Sequence, residues 1–199
     1  MSFYHTIEQE TVAEFKDRGS RFLAYVFPFA ETSGLKKHLQ SLKKEHPKAV
    51  HFCFAYRLGI DGNNFRSSDD GEPSGSAGKP ILGQIDSKEL TDVLVVVVRY
   101  FGGSLLGVPG LINAYRSAAA MALQLAPHVK KPVLVYYKIR FEYGEKAEVF
   151  RLLKKYGCQI VTQQNDLFPE LTAGIPEERE EESIYALKGI RNAEISILL

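Results

Sequence analysis

Residues 93–103 read VLVVVVRYFGG, and the rest of the chain can be placed around them. Val93 to Val98 is an unbroken apolar run, the pattern of a strand buried on both faces. It ends in Arg99-Tyr100-Phe101-Gly102-Gly103, and a glycine-rich loop leads to Pro109 near the start of a helix. On that helix Leu111, Tyr115, Ala118, Ala122 and Leu125 share one face, and the alanines 118–120 let the backbone pack closely on a sheet. Pro127 stops the helix, and Lys130-Lys131-Pro132 reads as a linker.

Upstream, TVAEFKD (11–17) and RFLAYVFPF (21–29) read as strands joined by Arg18-Gly19-Ser20 as a hairpin turn. Thr32 or Ser33 can cap a helix running to about His46, with Leu35, Leu39 and Leu42 on one side. Lys36, Lys37, Lys43 and Lys44 decorate its solvent side. HFCFAYRLG (51–59) is a strand by its aromatic content, followed by a turn at Asp61-Gly62-Asn63. Residues 67–80, SSDDGEPSGSAGKP, are too rich in Gly, Pro, Ser and Asp for regular structure, and a short helix follows through Ile81-Leu82 to Ile85.

Downstream, the pattern gives a strand in VLVYYKIRFEY (133–143) and a helix over 145–156, with Val149, Leu152, Leu153 and Tyr156 inward and Gly157 at its end. Strands in CQIVTQQ (158–164) and FPELTAGI (168–175), a helix from Pro176, and a strand in AEISILL (193–199) follow. Glu177, Glu178, Glu180, Glu181 and Glu182 crowd that helix's first turns, where its dipole favours negative charge. The βαββαβ order is a split-βαβ, ferredoxin-like pattern. The expectation is an α+β protein of two domains, 1–132 and 133–199.

The chain has 199 residues, 45% hydrophobic and 25% charged, ample for proper cores. MSFYHTIEQE is not a secretory signal, no apolar run approaches the ~18 residues of a membrane helix, and no membrane partner is expected. Two distant cysteines, Cys53 and Cys158, fit a reducing cytosol. The net charge is +1, distributed as +3 over residues 1–132 and −2 over 133–199, so only the first part can offer a basic face.

Four constellations carry chemistry. Asp69, Asp70 and Glu72 place three carboxylates in four residues, able to hold a hard cation or, as acidic turn residues do, to cap backbone N–H groups. No metal or other cofactor is assigned to them. Pro73-Ser74-Gly75-Ser76-Ala77-Gly78-Lys79 leads into a helix, leaving N–H groups open to an anion beside Lys79, or forming only a tight loop. The spacing is not that of a P-loop, and Ser76-x-x-Lys79 lacks the companion motifs of penicillin-binding proteins. Arg99 with Gly102 and Gly103 sits where a buried strand delivers its last side chains to the rim, suited to a phosphate or merely solvated. His51 and Cys53 share a strand face; the thiol reads as a small core residue rather than a nucleophile.

HFCFAY, SSDDGEPSGSAGKPIL and VVVVRYFGGSLLGVPGLINAYRSA, in that order, resemble the IMPACT/YigZ family, and the similarity extends over nearly the whole chain. The resemblance implies a first domain like domain 2 of ribosomal protein S5 and a ferredoxin-like second domain, a pair similar to two neighbouring domains of elongation factor G. In eukaryotic members it implies a regulatory role: restraining the kinase that phosphorylates an initiation factor by competing for its activator protein. The family's glycine loop carries a lysine where Leu105 stands and a glycine where Pro109 stands, so phosphate contacts would fall on Arg99, Arg116 and Lys79. The expected function is a non-catalytic binding or regulatory protein of the translation apparatus, with the ribosome, RNA or a ribosome-associated regulatory protein as partner. The alternative is an enzyme on a small phosphorylated substrate, since kinases of the same S5-like fold hold ATP with a Pro/Gly/Ser-rich loop.

Overall fold

The computed structural model describes residues 2–164 and 169–198. Phe168 and Leu199, which the sequence places at strand ends, lie outside the described residues. The chain divides into two compact units, Tyr4–Lys131 and Pro132–Leu199 with Met1–Phe3. In chain order the first ten elements are β1 (Phe3–Ile7), β2 (Thr11–Asp17), β3 (Ser20–Pro28), α1 (Leu35–Glu45), β4 (His51–Leu58), β5 (Asn64–Ser68), α2 (Gly78–Ser87), β6 (Val93–Tyr100), α3 (Gly107–Leu125) and β7 (His128–Pro132).

Strand β6 is the middle strand of an antiparallel five-stranded sheet ordered β2-β3-β6-β4-β5. Its side chains alternate between two cores. Val93, Val95 and Val97 pack with Phe22, Ala24, Val26, Cys53 and Ala55 beneath α2 and α3. Leu94, Val96 and Val98 pack with Phe27, Phe52, Phe54 and Tyr56 against the Leu35, Leu39 and Leu42 face of α1. The unbroken apolar run is therefore the consequence of helices on both sides of the sheet.

Four local expectations change. The helix α1 starts without a side-chain cap, because Thr32 and Ser33 form a separate 3-10 turn ahead of it. Ser67 and Ser68 belong to β5, paired with Ala55 and Phe54, and Gly78 to Pro80 already belong to α2, so the irregular stretch is shorter than expected. Leu125 is 62% exposed, because a 3.5-residue spacing drifts around a straight helix and the buried seam passes to Leu123 and Ala126. Lys130 to Pro132 form no loop linker: they lie in β7, which pairs with β1 in a two-stranded sheet.

The second unit continues with β8 (Leu134–Arg140), α4 (Lys146–Lys155), β9 (Gln159–Gln164), β10 (Glu170–Pro176), α5 (Glu180–Lys188) and β11 (Glu194–Ile197). Its antiparallel sheet is ordered β11-β8-β10-β9. Ile139, Phe141, Val149, Leu152, Leu153, Leu171, Ala173, Ile175 and Leu187 form a separate core. Pro176 closes β10 rather than opening the helix, and a 3-10 turn over Glu177–Arg179 comes first. Among the described residues no helix is long and apolar enough to cross a membrane.

Because this core is built from residues of the second unit alone, a fragment of residues 132–199 is expected to fold without the first unit. Expressed alone, it should unfold cooperatively on heating; a fragment lacking any thermal transition would show that the core needs the rest of the chain.

Candidate functional site

The chain leaves β5 at Ser68 and enters α2 at Gly78, and the intervening loop is shaped by its own carboxylates. Asp69 accepts backbone N–H groups from Gly75 (2.9 Å), Ala77 (3.0 Å) and Gly78 (2.8 Å). Burial works against its ionisation, but these three donors and the nearby Lys79 charge outweigh it and hold the carboxyl below its ordinary range. Three of the N–H groups read from sequence as open to an anion are thus already filled by Asp69, and that of Ser76 donates to the Pro73 carbonyl at 3.0 Å. The hydroxyl of Ser76 is turned into the loop, donating to the Pro73 carbonyl at 2.6 Å, while Ser74 is exposed. Asp70 accepts the Phe52 N–H at 2.7 Å and so ties the loop to β4.

Glu72 points into the protein. Its Oε1 accepts from Arg99 Nη1 at 2.6 Å and from the Tyr115 hydroxyl at 2.7 Å, and His51 Nε2 lies 3.8 Å away. Arg99 follows Val93, Val95 and Val97 in alternation, so it faces α3 and is 5% exposed rather than standing on a solvated rim. Its guanidinium lies against the rings of Phe22 (5.4 Å) and Phe101 (5.7 Å), and among the described residues its buried Nε has no partner. Cys53 Sγ lies 2.9 Å from the Asp69 carbonyl and 3.4 Å from the Tyr115 hydroxyl. Burial pushes the Cys53 thiol and the Tyr115 phenol well above their ordinary ranges, so neither ionises readily. His51 Nδ1 faces the Asp70 carbonyl at 2.8 Å and does not meet the thiol.

The three carboxylates of the acidic loop therefore turn to three different sets of donors and do not converge on a cation. Among the described residues no group of three His, Cys, Asp or Glu is arranged to hold a metal.

The two rim glycines separate. A Cβ on Gly102 would stand 2.0 Å from the Gly19 carbonyl carbon, and its N–H donates to Ser20 Oγ at 3.1 Å, so Gly102 seats the loop against the β2–β3 turn. Gly103 has a φ of +87° and open space around it. What the structure does bring together is Lys79 and Arg116. Both are exposed and line one open groove between α2 and α3, of about 450 Å³, with Gly75, Pro80, Gly83, Gln84 and Ile112. Neither forms an ion pair among the described residues. Sequence reasoning missed Tyr115 and His51 as partners of Glu72, although strand alternation and the helix face already placed them on the Arg99 side.

These features define a mixed α/β protein of two units, with a self-capped polar loop, an inward ion pair and a cationic groove. The Impact N-terminal domain family matches residues 18–123, which hold the loop, the ion pair and the groove. The chain belongs to the IMPACT family. It is 35% identical over 179 residues to an IMPACT family member of Haemophilus influenzae, covering 89% of this chain and 87% of that protein. With IMPACT family member YigZ of Escherichia coli it shares 34% identity over 159 residues, 79% and 78% of the two chains. Protein IMPACT of Xenopus laevis is 37% identical over 106 residues, 51% of this chain and 32% of that one. A crystal structure of a hypothetical protein, 28% identical, matches with a TM-score of 0.78 over 100% of this chain and 98% of that one, so the whole fold is shared.

Two measurements test the loop. Glu72→Ala leaves the Arg99 charge buried without its partner and should cost about 3–5 kcal/mol in denaturant unfolding; a loss under about 1 kcal/mol would mean that the pair is not structural. Asp69 contributes through a depressed carboxyl, so its contribution is complete above the ordinary carboxylate range and fades as the pH falls through the lowered native value. Asp69→Asn should therefore destabilise by about 1 kcal/mol near neutrality and flatten the acid limb of the stability profile. An unchanged acid limb would contradict that assignment.

Proposed function

We propose that this protein is a non-catalytic binding and regulatory component of the translation apparatus, meeting RNA phosphate or a ribosome-associated protein at the groove between α2 and α3. One observation carries the reading: two exposed cations, Lys79 and Arg116, line this groove, and its lining residues include no carboxylate, histidine or thiol. Such a surface can hold an anion by charge, as phosphate contacts do without reading sequence. The thiol, phenol and carboxylates that could do chemistry are turned into the loop and core. The regulatory role associated with eukaryotic members of the family favours the same class of activity, in the cytoplasm.

A finer fold assignment belongs to the same proposal. The first domain, 1–132, is similar to domain 2 of ribosomal protein S5, and the second, 133–199, is ferredoxin-like. The order β11-β8-β10-β9, with a helix after the first and third strands of the unit, supports the second assignment.

Co-sedimentation with ribosomes across a salt series tests the reading. Binding should weaken steeply with salt, and Lys79→Ala and Arg116→Ala should each lower the log–log slope by about 1. Arg99→Ala should act through stability instead, because its charge is internal. Association that survives nuclease treatment would select a protein partner. No salt-dependent association with ribosomes or RNA at low ionic strength would overturn the RNA reading.

A further inference from the structure

Helix α1 carries a second cationic surface, on the opposite side of the five-stranded sheet from α2 and α3. Lys36, Lys37, Lys43 and Lys44, with Lys48 just beyond the helix end, are all exposed. Among the described residues no carboxylate lies within ion-pairing distance of any of them. Leu35, Leu39 and Leu42 turn the other face of α1 to the sheet, and the Lys43 ammonium lies 5.4 Å from the centre of the Phe52 ring at the edge of that core. Lys36 and Lys43, like Lys37 and Lys44, stand seven residues apart, which is about 10.5 Å along the axis. The four therefore form two rungs on one side of a rigid helix.

Half of the placement runs against the helix's own electrostatics, since Lys43 and Lys44 stand in the last turn, where the dipole favours cations. Lys36 and Lys37 stand in the first turn, where the dipole disfavours cations, and that turn has neither an acidic residue nor a side-chain cap. First-turn cations such as Lys36 and Lys37, which break a local stability rule without an internal ion pair among the described residues, are expected where a surface serves an external partner.

We infer that this face of α1 docks on the phosphate backbone of double-stranded RNA. Lysine ammonium groups are point charges that suit phosphates and read no base. The helix exposes no aromatic ring on which an unpaired base could stack: His38, its one ring-bearing residue, is half-buried against Phe27. The apolar face of α1 is committed to the core, so the helix has none to insert into a lipid surface. This site is separate from the groove of Lys79 and Arg116 and does not depend on it.

The test uses the full chain and a fluorescent RNA duplex of about 20 base pairs, with anisotropy followed across a sodium chloride series. The variant Lys36→Gln/Lys37→Gln/Lys43→Gln/Lys44→Gln keeps helix propensity nearly constant, so thermal unfolding should be unchanged or slightly raised. Its log–log salt slope should fall by about 3–4, with at least about a tenfold loss of affinity at low salt. Lys79→Ala/Arg116→Ala should leave that part of the slope in place. An unchanged slope in the quadruple variant overturns the inference, as does binding of polyglutamate without binding of the duplex. Loss confined to the groove variant would overturn it while leaving the groove reading intact. Loss confined to the α1 variant would support it and remove the groove from duplex binding.

Discussion

One buried oxygen organises the first unit. Oε1 of Glu72 receives Arg99 from the end of β6 and Tyr115 from the middle of α3, joining the loop, the sheet and the long helix at a single point. The low dielectric around these groups makes their attraction strong and the loss of either partner costly. Asp69, Asp70 and Glu72 then form a sequence of anchors that fixes the loop to α2, to β4 and to the interior in turn. With α2 held in this way beside α3, the groove of Lys79 and Arg116 follows from the packing.

The parts legible in the sequence were those with long, regular patterns. The apolar run of β6, the small-residue face of α3 and the element order of the second unit all have periods that few alternatives share. The strands β1 and β7 escaped notice because they are short and only partly buried, and β7 sits among lysines and a proline that read as a linker. Arg99 was placed at a rim because it stands at the end of a buried strand, where the last side chains were read as delivered to the edge. Extending the alternation of Val93, Val95 and Val97 by one step would have put it under α3. Gly102 and Gly103 look alike in sequence, yet one touches the backbone of a turn over eighty residues away and the other stands in open space. No local pattern carries that distinction.

The departure at Leu105 also changes meaning. This side chain is 85% exposed, so the position at which the resemblance implies a lysine faces solvent and is here apolar. Arg99 cannot replace that charge, because it is committed to Glu72. Two of the three cations named for an anion remain available, and both belong to the helices rather than to the glycine loop.

The occupation of the α2 N-terminus by Asp69 has a kinetic and thermodynamic consequence. Many phosphate-binding loops reach their final shape only when the ligand fills them, and the entropy of that ordering is subtracted from affinity. Here an internal carboxylate already does so, and the loop next to the groove is set before a partner arrives. A partner docking beside it, as proposed, would meet a preformed surface, free of a folding step that would slow association. Affinity at such a surface is governed by complementarity and dissociation rate, and the heat-capacity change on binding reflects only the area covered.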